Sequence, residues 1–205
     1  MNSRIMPIPE IDVVFYEELT QQQVTVIYRI VNLLAKYALL ETSMLMKAYQ
    51  AVYQERLGLS YVKRAVKERL VIEYRDDYES SSEKPIHYYA LKSTTLAYLH
   101  SNRHQYLKLP FGAGHREKTR LLAFNTYAIH NEINHNITLE LDFYLRFFIS
   151  EQNVIYIYQD AISHDELELE LARRKIKTIS NHVSVPPLSY EMGEKTRAVH
   201  PTEVD

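Results

Sequence analysis

The sequence predicts a mainly α-helical protein with one small β-hairpin and a helical C-terminal region, and three observations predict it. Between Leu19 and Val52, apolar residues recur at helical spacing in two successive runs. A third run, Gly58 to Leu70, carries lysine and arginine on its free face. Directly after it come two β-rich runs, Val71 to Tyr74 and Ile86 to Tyr89, separated by the polar loop Asp76 to Pro85 with three consecutive serines. The last two elements alone would also suit a charged helix beside a surface hairpin. The full order of helix, helix, turn, helix, strand, loop, strand selects a winged helix-turn-helix.

The elements follow in order. Residues 1–18 contain two prolines and the short apolar run Ile11 to Tyr16, and are expected to form an N-terminal arm. Thr20 and Gln23 have the spacing of a capping box, in which each side chain reaches a free amide of the first turn. Val24, Ile27, Ile30, Val31 and Leu34 then mark a helix with one buried face to about Tyr37. After a short Ala38 to Glu41 connection, Thr42 is the expected N-cap of a second helix through Met44, Leu45, Ala48 and Tyr49. Ser60 is the expected N-cap of the third helix. Val62, Ala65, Val66 and Leu70 share one face there, leaving Tyr61, Lys63, Arg64, Lys67 and Glu68 on the other.

In a helix-turn-helix the third helix lies in the major groove and the N-terminus of the second approaches phosphate. The expected DNA contacts are therefore Ser43 and Lys47 on the second helix, and Ser60, Tyr61, Lys63, Arg64 and Lys67 on the third. Arg64 has the chemistry to read a guanine edge, whereas Lys63 and Lys67 equally suit phosphate. Each of these cations could also be a solvated surface charge. The hairpin loop is acidic, with Asp76, Asp77, Glu79 and Glu83 against Lys84, so phosphate would repel it. Lys84 is expected to make a peripheral contact at most.

Beyond the hairpin, Ser93 to about His104 suits a short helix. The Lys108 to Gly114 stretch holds two of the four glycines and a proline, and marks the end of the first domain, residues 19–109. His100 and His104 have the spacing of two helical metal ligands, but no cysteine or evident third ligand accompanies them, and no metal or cofactor is expected. His115 to Ile133 reads as a long helix. Its stripe of Leu121, Leu122, Asn125, Ala128, Ile129 and Ile133 is the expected homodimer surface, with Asn125 as a register-setting or partly exposed polar residue. Ile137 to Ile149 reads as a helix capped by Thr138, although Leu139, Leu141 and Phe143 also alternate as in a strand. Val154 to Tyr158 favours a strand. Ser163 and Glu166 repeat the capping-box spacing before a helix over Leu167 to Lys177, within a mostly helical dimerisation region spanning 110–179. Residues 180–205 are polar and proline-dotted, and are expected to be a flexible tail.

Composition bounds the function. The 205 residues are 46% hydrophobic, enough for a packed core, and carry a formal net charge of -2, so no overall basic balance advertises nucleic acid. Counterion release depends on a local basic surface, which the third helix provides. There is no cysteine, which excludes disulfide frameworks and thiolate metal sites, and there is no apolar run of transmembrane length. Cytoplasmic residence without membrane association is the expectation. Catalysis is not expected: Glu140, Asp142 and Asp160 have no Glu-X-Lys step at a workable distance, and no nucleophile signature or phosphate-binding glycine motif is present.

The run LTQQQVTVIYRIVNLLAKYALLETSMLMKAY, with the following helix, the hairpin and the later LLAFN (Leu121 to Asn125), resembles the replication-relaxation family of winged-helix proteins of plasmids and other mobile elements of Gram-positive bacteria. The resemblance covers roughly Leu19 to Ile133. It implies binding of double-stranded DNA in plasmid replication, mobilisation or transcriptional control. The alternative is a protein-interaction module whose tyrosine-rich winged helix binds a partner from the same mobile element, which the acidic loop and near-neutral charge favour.

Overall fold

The first helix, α1 (Gln21–Tyr37), begins where its capping residues dictate. The Gln23 amide donates to Thr20 Oγ1 at 3.3 Å and the Thr20 amide donates to Gln23 Oε1 at 2.9 Å, so two orphan donors of the first turn are satisfied reciprocally. Ile27, Ile30, Val31 and Leu34 are wholly buried. The chain reverses at Ala38, where φ is 60°, and enters a strand that spacing alone does not reveal, β1 (Leu39–Glu41). Three residues are too few to display an alternating pattern. The strand exists because a later segment supplies its hydrogen-bonding partner.

In this computed structural model the described residues are 19–76, 86–104, 106, 114–131, 147–149, 154–158, 165, 169, 172, 181–185 and 197–199. Helix outweighs strand among them. The arm 1–18, the loop 77–85 with Lys84, and Ile133 lie outside the described residues.

Helix α2 (Thr42–Tyr53) follows β1 without a break, and its N-cap is Glu41 rather than the expected Thr42. The Thr42 hydroxyl instead donates to the His87 carbonyl at 3.2 Å, so the residue ties the helix to the sheet. α2 ends at Gln54 in the left-handed region, and a short turn leads to α3 (Leu59–Lys67). Gly58, not Ser60, is the N-cap of α3, and no side chain caps it; Ser60 is an exposed residue of the first turn. Val62, Ala65 and Val66 are buried, and α1 packs against both α2 and α3. α3 closes through Arg69 at φ 59° and a 3.1 Å bond from the Leu70 amide to the Ala65 carbonyl.

Strands β2 (Val71–Asp76) and β3 (Ile86–Leu91) pair antiparallel, Val71 opposite Leu91 through Asp76 opposite Ile86. β1 pairs with the other side of β3, Leu40 opposite Tyr89. Helix α4 (Ser93–Ser101) is fastened to the sheet's base by the Thr95 hydroxyl, which donates to the Leu70 carbonyl at 2.9 Å.

The chain divides into two compact units, Arg4–Leu109 with Met192–Asp205, and Met1–Ser3 with Pro110–Glu191. In the second unit, α5 (His115–His130) packs on a three-stranded sheet of β4 (Phe147–Ile149), β5 (Val154–Tyr158) and β6 (Asn181–Val185). β4 is antiparallel to β5, and β6 is parallel to it. The expected mostly helical region is thus mixed: Phe147 to Ile149 is strand, where the apolar run read first as helix. Asp165, Leu169 and Ala172 are helical. The expected tail is also corrected, since β6 lies in it, as does β7 (Arg197–Val199). β7 joins the first unit by antiparallel pairing with β2, which completes a sheet of order β1-β3-β2-β7. Polar composition hid both strands, which pair with strands distant in sequence, β6 with β5 and β7 with β2.

Candidate nucleic-acid interface

α3 is held by burial on one side and is open on the other. Val62 and Ala65 are wholly buried while Ser60, Lys63 and Lys67 are exposed, so the two lysines lie on the side of α3 away from the core. Lys47, exposed on α2, adds a third cation to the same unit. Tyr61 is half-buried.

Arg64 and Ser43, both expected contacts, have other engagements. Arg64 Nε donates to Glu68 Oε1 at 3.0 Å, with the Arg64 side chain 25% exposed and that of Glu68 only 1%. Sequence spacing places Glu68 on the exposed face. In the structure Glu68 still follows the helical path, its amide donating to the Arg64 carbonyl at 2.9 Å, and it lies one turn beyond Ala65, which is wholly buried. A carboxylate taken out of water must be paired, so Arg64 is a structural cation and its Nε is not available to a guanine edge. Ser43 is the second case: its hydroxyl donates to Glu41 Oε1 at 2.9 Å. The amides at the start of α2 therefore have a carboxylate beside them, which already complements the positive end of the helix dipole and would repel phosphate.

The position of α3 is fixed from the other end of the turn. Arg29 Nη1 donates to Glu55 Oε2 at 2.9 Å and to Tyr49 Oη at 3.4 Å. Its guanidinium lies 4.8 Å from the centre of the Tyr53 ring, which in turn packs 4.9 Å from that of Tyr49. The hydrogen bond with Tyr49, foremost, holds the Arg29 guanidinium above its ordinary value, and burial raises the Tyr49 phenol. This cluster joins α1, the end of α2 and the α2–α3 turn. Sequence reading missed it, because the partners are brought together by packing from positions more than a helix apart.

A second cluster missed from the sequence sits on the hairpin. Glu73 Oε1 accepts from Tyr89 Oη at 3.0 Å and is 2.7 Å from His87 Nδ1, which must carry the proton because an ionised carboxylate only accepts. Burial, then the nearby Glu73 carboxylate, push the Tyr89 phenol well above its ordinary value. A glutamate between Ile72 and Tyr74 was the visible signal. Its partners depend on the hairpin register, which a loop of unspecified geometry leaves open.

The expected dimer stripe is elsewhere employed. Leu121, Leu122, Asn125, Ala128 and Ile129 are each at most 2% exposed within the chain's own fold. They form the core beneath β5 and β6, and Asn125 is buried rather than partly exposed. His100 is exposed on α4 and meets the Tyr106 ring edge-on at 6.4 Å. No group of three potential metal ligands occurs among the described residues, and no described helix is long and apolar enough to cross a membrane.

Comparison of the chain with protein-family models, with curated proteins and with solved structures finds no match.

Proposed function

We propose that this protein is a binder of double-stranded DNA, and not an enzyme, built on a winged helix-turn-helix in which α3 enters the major groove and β2 and β3 are the wing. The observation that carries the reading is the two-sided character of α3: Val62, Ala65 and Val66 are anchored in the core while Lys63 and Lys67 stand exposed. The order α1, β1, α2, α3, β2, β3 supports it, since that order presents the third helix and the hairpin from one small body. On the sequence resemblance, the role is transcriptional control, replication or mobilisation of a plasmid or other mobile element, in the cytoplasm. Reading of paired half-sites by a homodimer belongs to the proposal through a surface other than the α5 stripe.

The test is duplex binding of the wild type and of a Lys63→Ala/Lys67→Ala variant over a range of salt concentrations. Each lost phosphate contact lowers the salt slope by about one, so the double variant should lose about two. Equal affinity and slope in both proteins would remove α3 from the interface. One observation favours the protein-interaction reading: Arg64 is neutralised by Glu68, leaving α3 less outward charge than its composition suggests. That reading expects no salt-dependent duplex binding by the wild type.

A further inference from the structure

We infer that Arg29, with Arg56 beside it on the α2–α3 turn, forms a phosphate site in which the Glu55 carboxylate stands where a phosphate of the duplex will sit; this deepens the DNA reading above and rests on it. The site is a guanidinium held from within and closed from without. On the inner side, Arg29 Nη1 donates to Tyr49 Oη at 3.4 Å, from a residue that is itself buried, and the guanidinium lies 4.8 Å from the centre of the Tyr53 ring. A phenol oxygen and a ring face hold the cation without neutralising it. On the outer side the Glu55 carboxylate accepts from the same Nη1 at 2.9 Å.

Exposure decides which side can exchange. The Glu55 side chain is 57% exposed and that of Arg29 24%, so this carboxylate already sits largely in water and opening the pair costs little. The Arg64–Glu68 pair is the contrast within the same unit: Glu68 is buried and cannot leave its cation without losing its only compensation against burial. When Glu55 turns into solvent, the two tyrosines still hold the Arg29 guanidinium, whose planar fork of donors suits a phosphate as well as a carboxylate. Arg56, the next residue, is exposed, so two guanidinium groups stand against one carboxylate at this corner. Its place in the fold names the occupant. The turn leads directly into α3, whose first residues face the bases in a helix-turn-helix, and the groups flanking such a helix meet the phosphates that border the groove. The first turn of α3 carries no acidic residue, so past Glu55 no carboxylate there opposes a phosphate.

The experiment measures binding of a short random-sequence duplex across salt concentrations by wild type, Glu55→Gln, Arg29→Gln, Arg56→Gln and the Arg29→Gln/Glu55→Gln double variant, with Lys63→Ala/Lys67→Ala in parallel. Thermal melting of each protein reports on the fold. Glu55→Gln removes the competing carboxylate and should tighten binding roughly two- to fivefold. Arg29→Gln and Arg56→Gln should each lower the salt slope by about one, and in the Arg29→Gln background the gain from Glu55→Gln should vanish. An equal gain in both backgrounds would make Glu55 a general repulsive charge and overturn the site, as would a Glu55→Gln variant that binds no tighter than wild type. One readout needs no change at Arg29: its side-chain Nε–Hε resonance in the wild type should shift when duplex is added, and a resonance that stays put while duplex is bound would overturn the site. Either of these failures, with the lysine variant still losing affinity, would leave α3 as the interface and strike the turn alone. Absence of duplex binding by the wild type would end the DNA reading and the site with it.

Discussion

Among individual side chains, Arg64 and Lys63 are neighbours with different work. Lys63 is exposed, and its replacement by alanine should leave stability within about 0.5 kcal/mol of wild type. Arg64 compensates a carboxylate that is 1% exposed, so Arg64→Ala should destabilise the protein by about 2–3 kcal/mol, read from urea unfolding. Equal stability of the two variants would show that Glu68 does not need its partner. The cations of α3 were legible in the sequence as a set, but not their division of labour. Helical spacing ranks residues by angle around an axis, and Glu68 lies where the two faces meet, one turn beyond buried Ala65 and one turn beyond half-buried Arg64. The same limit applies to Ser43: its type suits a phosphate contact, and only the placement of Glu41 shows its hydroxyl engaged.

At the scale of elements, legibility followed the source of stabilisation. α1 could be read to the residue at its start because its signals are local, a capping box and a buried stripe. β5 was equally plain, as a β-branched and aromatic run. β1, β6 and β7 were not, because each exists through pairing with strands that are distant in sequence. The end of α2 is another local feature with a testable cost. Gln54 sits at φ 57°, ψ 24°, a left-handed conformation that a side chain disfavours and glycine adopts freely. Gln54→Gly should therefore raise stability by about 0.5–1 kcal/mol, seen as a higher denaturation midpoint with unchanged slope. A lower midpoint would mean that chain entropy in the unfolded state outweighs the relieved backbone.

For the whole molecule, the balance of buried titratable groups predicts how stability varies in alkali. Burial pushes the Lys36 ammonium from 10.5 down to about 8, and burial lowers Lys118 in the same direction. The unfolded chain therefore binds more protons than the folded one as pH rises from about 8 toward 10.5, so stability increases across that window. Burial raises the Tyr37 and Tyr89 phenols above their ordinary 10.0, with Glu73 adding to the effect at Tyr89. Their contribution is fully present below pH 10.0 and is lost as the pH climbs further. Denaturation midpoints should thus rise from pH 8 to a maximum near 10 and then fall. Lys36→Met should flatten the rise and keep the fall; a variant with an unaltered profile would exclude Lys36 as its source.

The return of β7 to the first sheet also has a consequence for how the protein is made. A ribosome delivers residues 71–91 long before residues 197–199, so the nascent hairpin meets the cell with the outer edge of β2 unpaired. Through that interval the edge is a template for any extended chain nearby, and sequestration by a chaperone or mispairing with a neighbouring polypeptide competes with closure. Slower translation of the second unit would lengthen the interval, and the yield of native protein should fall with it.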